Sequence, residues 1–282
     1  MSCKHVHTNV YLPSIAIIDE IREEIKDVKT FFWHFEDPAA ETIFRSFMPG
    51  QFAMVSIFGA GEMAISLPPS PTEDKLFFTT RAVGTATNEM HKLKVGNKFA
   101  VRGPYGNGFP MKDYENRNLI IVAGGIGLIP LRSVIIYALH NRSKFGKIQV
   151  FYGSGSEDQL LFKDSYAKWT KVGVKMNLIF DKEKTNKKAI QGASCDFGLI
   201  TKLFDTVPVV KDATAFVCGP EIMFKFSVEK LKKVGFTDQD IYLSLERKMH
   251  CGIGICQHCA TGEFYVCKNG PVFRYDEVAG KI

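Results

Sequence analysis

Four cysteines lie close together near the C-terminal end of the sequence, at Cys251, Cys256, Cys259 and Cys267. Their spacing is C-x4-C-x2-C-x7-C, and the first three have the spacing that holds a 2Fe-2S cluster, whose fourth thiolate comes from further along the chain. Zinc is the other metal that clustered thiolates bind, but structural zinc ribbons usually have two C-x2-C pairs and this segment has one. The residues therefore favour an iron-sulfur site and leave zinc as the alternative.

The residues between these cysteines fit the same interpretation. Gly252 and Gly254 have no Cβ, so backbone N–H groups can approach the cluster sulfurs and stabilise the reduced, more negative state. Because four thiolates already complete two irons in pairs, His250 and His258 are expected beside the site or on the surface and not as ligands.

A glycine-rich turn, GGIGLIP, follows the apolar segment NLIIVA. Glycines between a strand and a helix, here Gly124, Gly125 and Gly127, let the backbone approach a pyrophosphate at the helix N-terminus. The turn is not a full G-x-G-x-x-G fingerprint, and glycines also occur where a strand and a helix simply pack closely. A second strand end, Cys218-Gly219-Pro220, again opens a helix, and open parallel sheets bind ligands at this edge. The two strand ends together predict a nucleotide crevice, although Cys218 alone would be a packing cysteine.

The elements that must position these residues fall into two patterns. From about Ser14 to Gly103 the sequence predicts short strands without a long amphipathic helix, which indicates an antiparallel barrel or sandwich. From Asn118 strands alternate with helices, which predicts right-handed crossovers and a parallel sheet covered on both faces. The basic segment KEKTNKK, Lys182 to Lys188, is expected to be a solvated loop.

This pattern divides the chain into three parts. We predict a β-barrel domain over residues 1–112, an α/β nucleotide-binding domain over residues 113–245, and a cluster-binding segment over residues 246–282.

The bulk composition limits the class of protein. Of 282 residues, 45% are hydrophobic and 23% charged. The formal charge of +6 is spread without a block of five or six basic residues, so nucleic-acid binding is not expected. The apolar stretch from Leu119 to Leu139 contains glycines, a proline and an arginine, so it predicts strand, turn and helix and not a membrane span. Seven cysteines and no apolar leader indicate a reduced cytoplasm; Cys3 and Cys195, the latter expected in a loop, are given no role.

The order of these features resembles the ferredoxin-NADP reductase superfamily. The motifs GGxGxxP and CGPxxM carry the resemblance, and the segments ERKMHCGIGICQHC and YVCKNGPVF narrow it. They are similar to the flavin and 2Fe-2S electron-transfer subunits of sulfhydrogenase-type hydrogenases (the gamma subunit), anaerobic sulfite reductase and dihydroorotate dehydrogenase. The segments GPYGNGFP and LHNRSKFGKI are most similar to the hydrogenase branch.

The resemblance implies FAD in the barrel. The matching segment is EMAIS, so Ser66 would approach the flavin N5 edge, while Met63 and Ile65 stand where the family has an arginine and a tyrosine. Arg81 is the candidate cation for the FAD pyrophosphate. The following turn offers further phosphate-binding groups at Gly84, Thr85 and Thr87, with an ordinary helix cap as the alternative for Thr87.

The resemblance also implies the route of the electrons. Gly125 and Gly127 would face the nicotinamide dinucleotide, and Cys218, Gly219 and Pro220 would lie beside the nicotinamide, where hydride passes to the flavin. Electrons would then leave one at a time through the 2Fe-2S cluster to a separate catalytic subunit. That partner is expected to be of hydrogenase type, with sulfite reductase or dihydroorotate dehydrogenase as alternatives. A zinc-stabilised nucleotide-binding regulatory module is the alternative from another class.

Acidic residues predict the choice of nucleotide. The stretch SGSEDQ after the strand KIQVFYG offers Glu157 and Asp158 and no arginine. A free ribose 2′-hydroxyl accepts an acidic neighbour, whereas a 2′-phosphate needs a cation. We therefore expect NADH over NADPH, unless Lys187 and Lys188 fold over the same site or Glu157 only caps the next helix.

Overall fold

The computed structural model describes residues 9–182 and 190–281 of the chain. Cys3 and all of the basic segment after Lys182 lie outside the described residues, so their predicted roles stay predictions. Within the described ranges, no helix combines the length and the apolar character that a membrane crossing requires.

The first sheet is antiparallel and barrel-like. Its six strands run in the order β4-β3-β6-β1-β2-β5, so the barrel is not closed between its edge strands β4 and β5. Trp33 stacks on Phe78 at 4.9 Å between ring centroids, and this pair lies at the centre of an aromatic core. The predicted strands are confirmed, and only two short helices accompany them. The bounds are β1 Ser14–Ile25, β2 Val28–Phe35, α1 Pro38–Phe44, β3 Phe52–Ile57, β4 Gly61–Ser66, β5 Leu76–Arg81, α2 Thr85–Met90 and β6 Lys98–Tyr105.

The second sheet has seven strands in the order β10-β9-β8-β7-β11-β12-β15. Every neighbouring pair is parallel except β12 with β15. The bounds are β7 Asn118–Gly124, α3 Leu128–His140, β8 Ile148–Ser154, α4 Tyr166–Lys171, β9 Val174–Phe180, β10 Ser194–Phe197, α5 Leu203–Thr206, β11 Ala213–Cys218, α6 Glu221–Lys233, β12 Ile241–Ser244 and β15 Val272–Arg274.

Helices cover both faces of this sheet, as the alternating pattern predicts. Along β7, Leu119 and Ile121 belong to the core under α3 and α4, whereas Ile120 and Val122 belong to the core under α5 and α6. Strand β7 pairs with β8 on one side and with β11 on the other. The carboxyl ends of β7 and β11 therefore meet where the strand order changes direction, which is the ligand-binding edge of such sheets.

Two details differ from the sequence predictions. Cys195 lies in strand β10 and not in a loop, because Ser194–Phe197 is a four-residue edge strand that pairs only with β9 and is too short to show a pattern. Strand β15 comes from the C-terminal segment and runs antiparallel to β12, so the sheet is mixed and not wholly parallel.

The C-terminal segment packs against both sheets. Besides β15 it contains the short elements β13 Ala260–Thr261, β14 Phe264–Tyr265, α7 Val266–Asn269 and α8 Tyr275–Val278. Asn107, in the loop after β6, donates from Nδ2 to the carbonyl of Val272 at 2.7 Å, and its backbone N–H donates to the carbonyl of Gly270 at 2.8 Å. Cys259 and Cys267 share a buried core with Phe52 and Met54 of β3. The segment is thus fixed to the barrel as well as to the parallel sheet.

Candidate functional site

A cavity of about 420 Å³ lies where the open edge of the barrel meets the parallel sheet. Its size falls within the range of small-molecule sites in proteins. Three parts of the chain form most of its walls: the facing ends of β4 and β5, the turn after β7 with the start of α3, and residues 244–249, which begin at the last residue of β12. Residues of both sheets therefore line this cavity.

The barrel wall contains Ser66, Arg81 and Thr87. Ser66 ends β4 and pairs with Phe52 across the sheet. Arg81 ends β5, where its Nε lies 3.0 Å from Asp27 Oδ2 and its side chain is one-third exposed toward the cavity. Met63 and Ile65 also line this wall, so apolar side chains stand where the resemblance expected an arginine and a tyrosine.

The turn before α2 is held together by Thr87. Its Oγ1 accepts from the N–H groups of Val83 at 3.0 Å and Gly84 at 2.9 Å, and it donates to the carbonyl of Gly84. This arrangement favours the helix-cap role of Thr87, while its place in the cavity wall keeps it beside any bound group. The phosphate-binding roles of Gly84, Thr85 and Thr87 stay predictions.

The two glycine turns of the parallel sheet pack directly on each other. A methyl group on Gly127 would lie 2.3 Å from the carbonyl oxygen of Cys218 and 2.7 Å from the amide nitrogen of Gly219. A methyl group on Gly124 would lie 3.0 Å from Pro220 Cδ. Gly125, in contrast, has φ +53° and open space around it. The structure brings these predicted residues together at one point of the sheet edge, and Ile126 between them faces the cavity.

Cys218 is fully buried beneath this turn. Burial raises the pKa of its thiol well above the usual range, and the nearby Glu246 carboxylate acts in the same direction. Its side chain bonds with Ser244, which does line the cavity. The neutral thiol therefore lies behind the wall, and its predicted contact with the nicotinamide stays a prediction.

Three charged residues of the cavity wall had no assigned role in the sequence. Glu246, Arg247 and Lys248 come one residue after the end of β12 and line the same cavity as Arg81. Glu246 is solvent-accessible through the open cleft, but the surrounding protein raises the pKa of its carboxyl group above the ordinary value. Arg81, Arg247 and Lys248 bring three cations to the walls, although Asp27 lies 3.0 Å from Arg81 and Glu221 lies 3.6 Å from Arg247. Such cations are the groups that bind the phosphates of a dinucleotide. The sequence signals were their position, between the end of a sheet strand and the first cluster cysteine, and their place at the start of the segment ERKMHCGIGICQHC.

The four cysteines are arranged as two pairs. Cys251 and Cys256 are within hydrogen-bonding reach of each other, and so are Cys259 and Cys267. Cys256 is exposed, whereas Cys259 and Cys267 are buried. In the part of the chain that the structure describes, no three His, Cys, Asp or Glu side chains converge on a single metal ion. Four neighbouring thiolates can complete two irons, with one pair for each iron, while a single tetrahedral zinc ion stays the alternative that the sequence left open.

Backbone N–H groups point at the sulfur atoms. Cys251 Sγ accepts from the N–H groups of Ile253 at 3.5 Å, Ile255 at 3.3 Å and Cys256 at 3.4 Å, while the N–H of Gly254 lies 3.0 Å from Cys267 Sγ. Partial burial raises the pKa of the Cys251 thiol, but these donors outweigh it and lower that pKa to about 6. In Cys267, burial and the neighbouring Cys259 raise the pKa to about 12. A cradle of N–H donors around paired sulfurs is the environment that thiolate-bound iron-sulfur clusters require, so the residues fit the group.

The two histidines beside the cysteines lie on the surface. The rings of His250 and His258 are 4.0 Å apart between centroids, and His258 Nδ1 is 3.0 Å from the carbonyl oxygen of Lys248. Both are exposed, as expected from the sequence.

Solved structures with the same architecture are ferredoxin reductases and their relatives. A structure of an NADH-dependent reduced ferredoxin-NADP oxidoreductase superposes with a TM-score of 0.73 at 24% identity, covering 94% of this chain and 91% of that one. A ferredoxin NADP⁺ reductase from Neisseria gonorrhoeae with bound FAD and NADP gives a TM-score of 0.65 at 17% identity, over 80% of this chain and 92% of that one. The fold is therefore that of the ferredoxin-NADP reductases.

Family models and curated relatives define the chain further. The iron-sulfur cluster binding domain of dihydroorotate dehydrogenase B matches residues 246–279, and the oxidoreductase NAD-binding domain matches residues 121–229. Sulfhydrogenase 2 subunit gamma of Pyrococcus furiosus is 40% identical over 280 residues, covering 95% of this chain and 96% of that protein. The probable dihydroorotate dehydrogenase B (NAD(+)) electron transfer subunit of Thermococcus kodakarensis is 32% identical, over 95% of this chain and 99% of that protein.

The chain belongs to the family of sulfhydrogenase gamma subunits and dihydroorotate dehydrogenase B electron transfer subunits. The prediction of an electron-transfer oxidoreductase subunit, with a nucleotide-binding domain and an iron-sulfur segment, is thereby confirmed.

Proposed function

We propose that this chain takes electrons from NADH, or returns them to NAD⁺, through FAD and a 2Fe-2S cluster that serves a separate catalytic subunit. One observation carries the proposal: the last residues of the cavity wall continue directly into residues 251–256, which we call the cluster loop. Lys248 and Met249 line the cavity, and Cys251 follows within three residues of Lys248. A site for a two-electron donor and a site for a one-electron carrier are thus joined by a few residues.

Residues of the two facing walls would hold the organic cofactors. We place FAD on the barrel side, at Ser66, Arg81 and Thr87 and the adjoining turn of Gly84 and Thr85, with Arg81 offsetting pyrophosphate charge. The glycine turns at Gly124, Gly125 and Gly127 and at Gly219-Pro220 adjoin Ile126 of the opposite wall, and we place the nicotinamide dinucleotide there, above the buried Cys218. FAD supplies the chemistry that converts a hydride into single electrons, so the protein needs no acid-base triad. The protein has to set the distance between the cofactors, their orientation and their reduction potentials.

The cysteine pairs would hold the 2Fe-2S cluster. Cys251 and Cys256 would bind one iron, and Cys259 and Cys267 the other. Ile255 and Cys256 are exposed, and we place the contact with the partner subunit there, whereas Cys259 and Cys267 face the protein core.

The partner we favour is a hydrogenase-type catalytic subunit. The support is the 40% identity to a sulfhydrogenase gamma subunit over nearly the full length of both chains. Dihydroorotate dehydrogenase and sulfite reductase subunits are the alternatives, the first because several relatives at about 30% identity carry that name. A cytoplasmic location belongs to this proposal, because cysteines that serve a metal cluster and not disulfides are typical of a reducing compartment. Purifying the chain with its native partner tests the assignment; a complex without a nickel-iron subunit would exclude the hydrogenase partner.

We propose NADH as the preferred nucleotide. Glu157 and Asp158 follow β8 in the short helical turn Glu157–Gln159. Lys163 Nζ lies 2.8 Å from Glu157 Oε1, so part of the acidic charge is already offset and the preference is expected to be moderate. The relatives named for dihydroorotate dehydrogenase B carry NAD(+) in their names, in agreement with this choice.

Cofactor analysis of the chain purified without oxygen tests the whole proposal. We expect a flavin spectrum with iron-sulfur absorption, about two irons and two sulfides per chain, and bleaching by NADH. A colourless protein with one zinc ion and no flavin would contradict the proposal and support the zinc-stabilised regulatory module.

A further inference from the structure

A buried arginine connects the barrel to the cluster loop. Arg102 lies in β6, and its side chain is 7% exposed. Its Nη1 donates to the carbonyl oxygen of Cys251 at 2.8 Å, and its Nη2 lies 3.5 Å from the carbonyl oxygen of His250. Its Nε donates to Glu62 Oε1 at 2.8 Å, and Nη2 binds the second carboxylate oxygen. One guanidinium therefore holds a carboxylate of the barrel on one side and the start of the cluster loop on the other.

Glu62 belongs to the same strand as the predicted flavin-side residue Ser66. Residues alternate between the faces of a strand, so Glu62, Ala64 and Ser66 share one face of β4. Ala64 accordingly packs against the core that contains Cys259 and Cys267, whereas Met63 and Ile65, which also line the cavity, pack against the barrel core. The distance from Glu62 to Ser66 along the strand is about 13 Å. Three residues of β4 thus separate Ser66 in the cavity wall from Glu62, which binds the arginine that donates to the carbonyl oxygen of Cys251.

The arginine is suited to fixing position. A guanidinium offers several donors in a rigid plane, so it can bind a carboxylate on one edge and carbonyl oxygens on the other, which a lysine cannot do. Removing one partner of a buried ion pair leaves an uncompensated charge, so the pair resists separation. The same loop, from Cys251 to Cys256, carries the N–H groups that point at Cys251 Sγ. Holding the Cys251 carbonyl therefore fixes where this loop begins.

We propose that Arg102, with Glu62, is a positioning residue that fixes the cluster loop relative to β4, the strand that carries Ser66. The same pair tunes the midpoint reduction potential of the cluster. This inference rests on the proposed iron-sulfur function. The charges have opposite effects on the cluster. Arg102→Gln leaves the Glu62 carboxylate unopposed, which disfavours the reduced cluster and lowers its midpoint potential. Glu62→Gln leaves the guanidinium unopposed and raises the potential.

The test compares Arg102→Gln, Arg102→Lys and Glu62→Gln with a matched control, Arg132→Gln. Arg132 likewise forms a partly buried two-bond pair, with Glu73 at 2.8 Å for each bond, and it joins α3 to the barrel at the carbonyl of Pro68. Loss of this pair is expected to lower the melting temperature without changing the cluster. Redox titration monitored by electron paramagnetic resonance gives the midpoint potential, and stopped-flow reduction by NADH separates flavin reduction from cluster reduction.

We expect opposite shifts of potential in Arg102→Gln and Glu62→Gln, and cluster reduction slowed about ten-fold in Arg102→Gln while flavin reduction stays near the wild-type rate. Arg102→Lys should keep the potential closer to wild type than Arg102→Gln but should not restore the rate. Equal potentials in all variants, with Arg102→Gln no different from Arg132→Gln apart from stability, would overturn the proposal.

Hydrogen exchange of the metal-free chain separates this proposal from the proposed function. Amides of residues 250–256 should exchange about ten-fold faster or more in Arg102→Gln than in wild type or Arg132→Gln, because a hydrogen bond to a charged group is worth at least that factor. This readout needs no cluster, so unchanged exchange would contradict the anchoring role. A wild-type chain that binds no iron would contradict only the proposed function.

Discussion

Replacing Gly127 with alanine tests the contact between the two glycine turns. Gly127 has φ −61° and ψ −13°, an ordinary helical conformation, so its backbone does not require glycine. What excludes a side chain is space: a Cβ would lie 2.3 Å from the carbonyl oxygen, 2.5 Å from the carbonyl carbon of Cys218 and 2.7 Å from the amide nitrogen of Gly219. All three atoms belong to the backbone of the neighbouring strand end, which cannot rotate away as a flexible side chain could.

The expected cost follows from this geometry. Overpacking a well-packed site costs about 1–3 kcal/mol, and we expect the upper end because backbone has to move. A loss of about 3 kcal/mol lowers the melting temperature by roughly 6–12 °C in a protein of this size class. Because the turns after β7 and β11 must separate, we also expect NADH to bind about ten-fold more weakly or worse.

The matched control is Gly153→Ala at the carboxyl end of the neighbouring strand β8. There the nearest atoms to a Cβ, on Ile200, are 3.4 and 3.6 Å away, which is ordinary contact. Thermal unfolding and NADH titration of the two variants give the comparison. If Gly127→Ala melts within about 2 °C of Gly153→Ala, and binds NADH as wild type does, the turns are not in the close contact described here.

Three further outcomes are expected. The Cys256→Ser variant should lose iron, although the Cys256 side chain is exposed and the substitution takes nothing away from the core. The Cys195→Ser variant should keep the full iron content, and chemical iron analysis of both variants gives the comparison. In the metal-free chain the thiolate of Cys251 forms above its pKa of about 6, so the rate of its alkylation by iodoacetamide should decrease only as the pH falls through 6. Cys267 has a pKa of about 12 and should react slowly up to pH 9. Equal alkylation rates of the two cysteines by mass spectrometry would refute this difference. Catalytic efficiency in dye reduction should be higher with NADH than with NADPH by about ten-fold, and Glu157→Ala should narrow the ratio; a wild-type preference for NADPH would contradict the acidic-residue argument.

Much of the architecture was predictable from the sequence because its signals are local. The apolar run of β7 followed by Gly124 to Gly127 predicted a buried strand, a tight turn and a helix, and the structure has them. The spacing of the four cysteines indicated an iron-sulfur segment, and the family match over residues 246–279 supports it. Short edge strands were harder: β10 has four residues and β15 three, and neither is long enough to show alternation against a polar background.

Contacts between distant parts of the chain were decided only by the tertiary structure. The sequence determined which chemistry is present, namely thiolates at cluster spacing and glycine turns at strand ends, because these depend on residues a few positions apart. It gave no sign that Arg102 would reach Cys251, 149 residues away, or that Glu246, Arg247 and Lys248 would share a cavity with Arg81. Those partners meet only after the open edge of the barrel packs against the parallel sheet, and no periodicity or spacing along one chain encodes where two separate surfaces will touch.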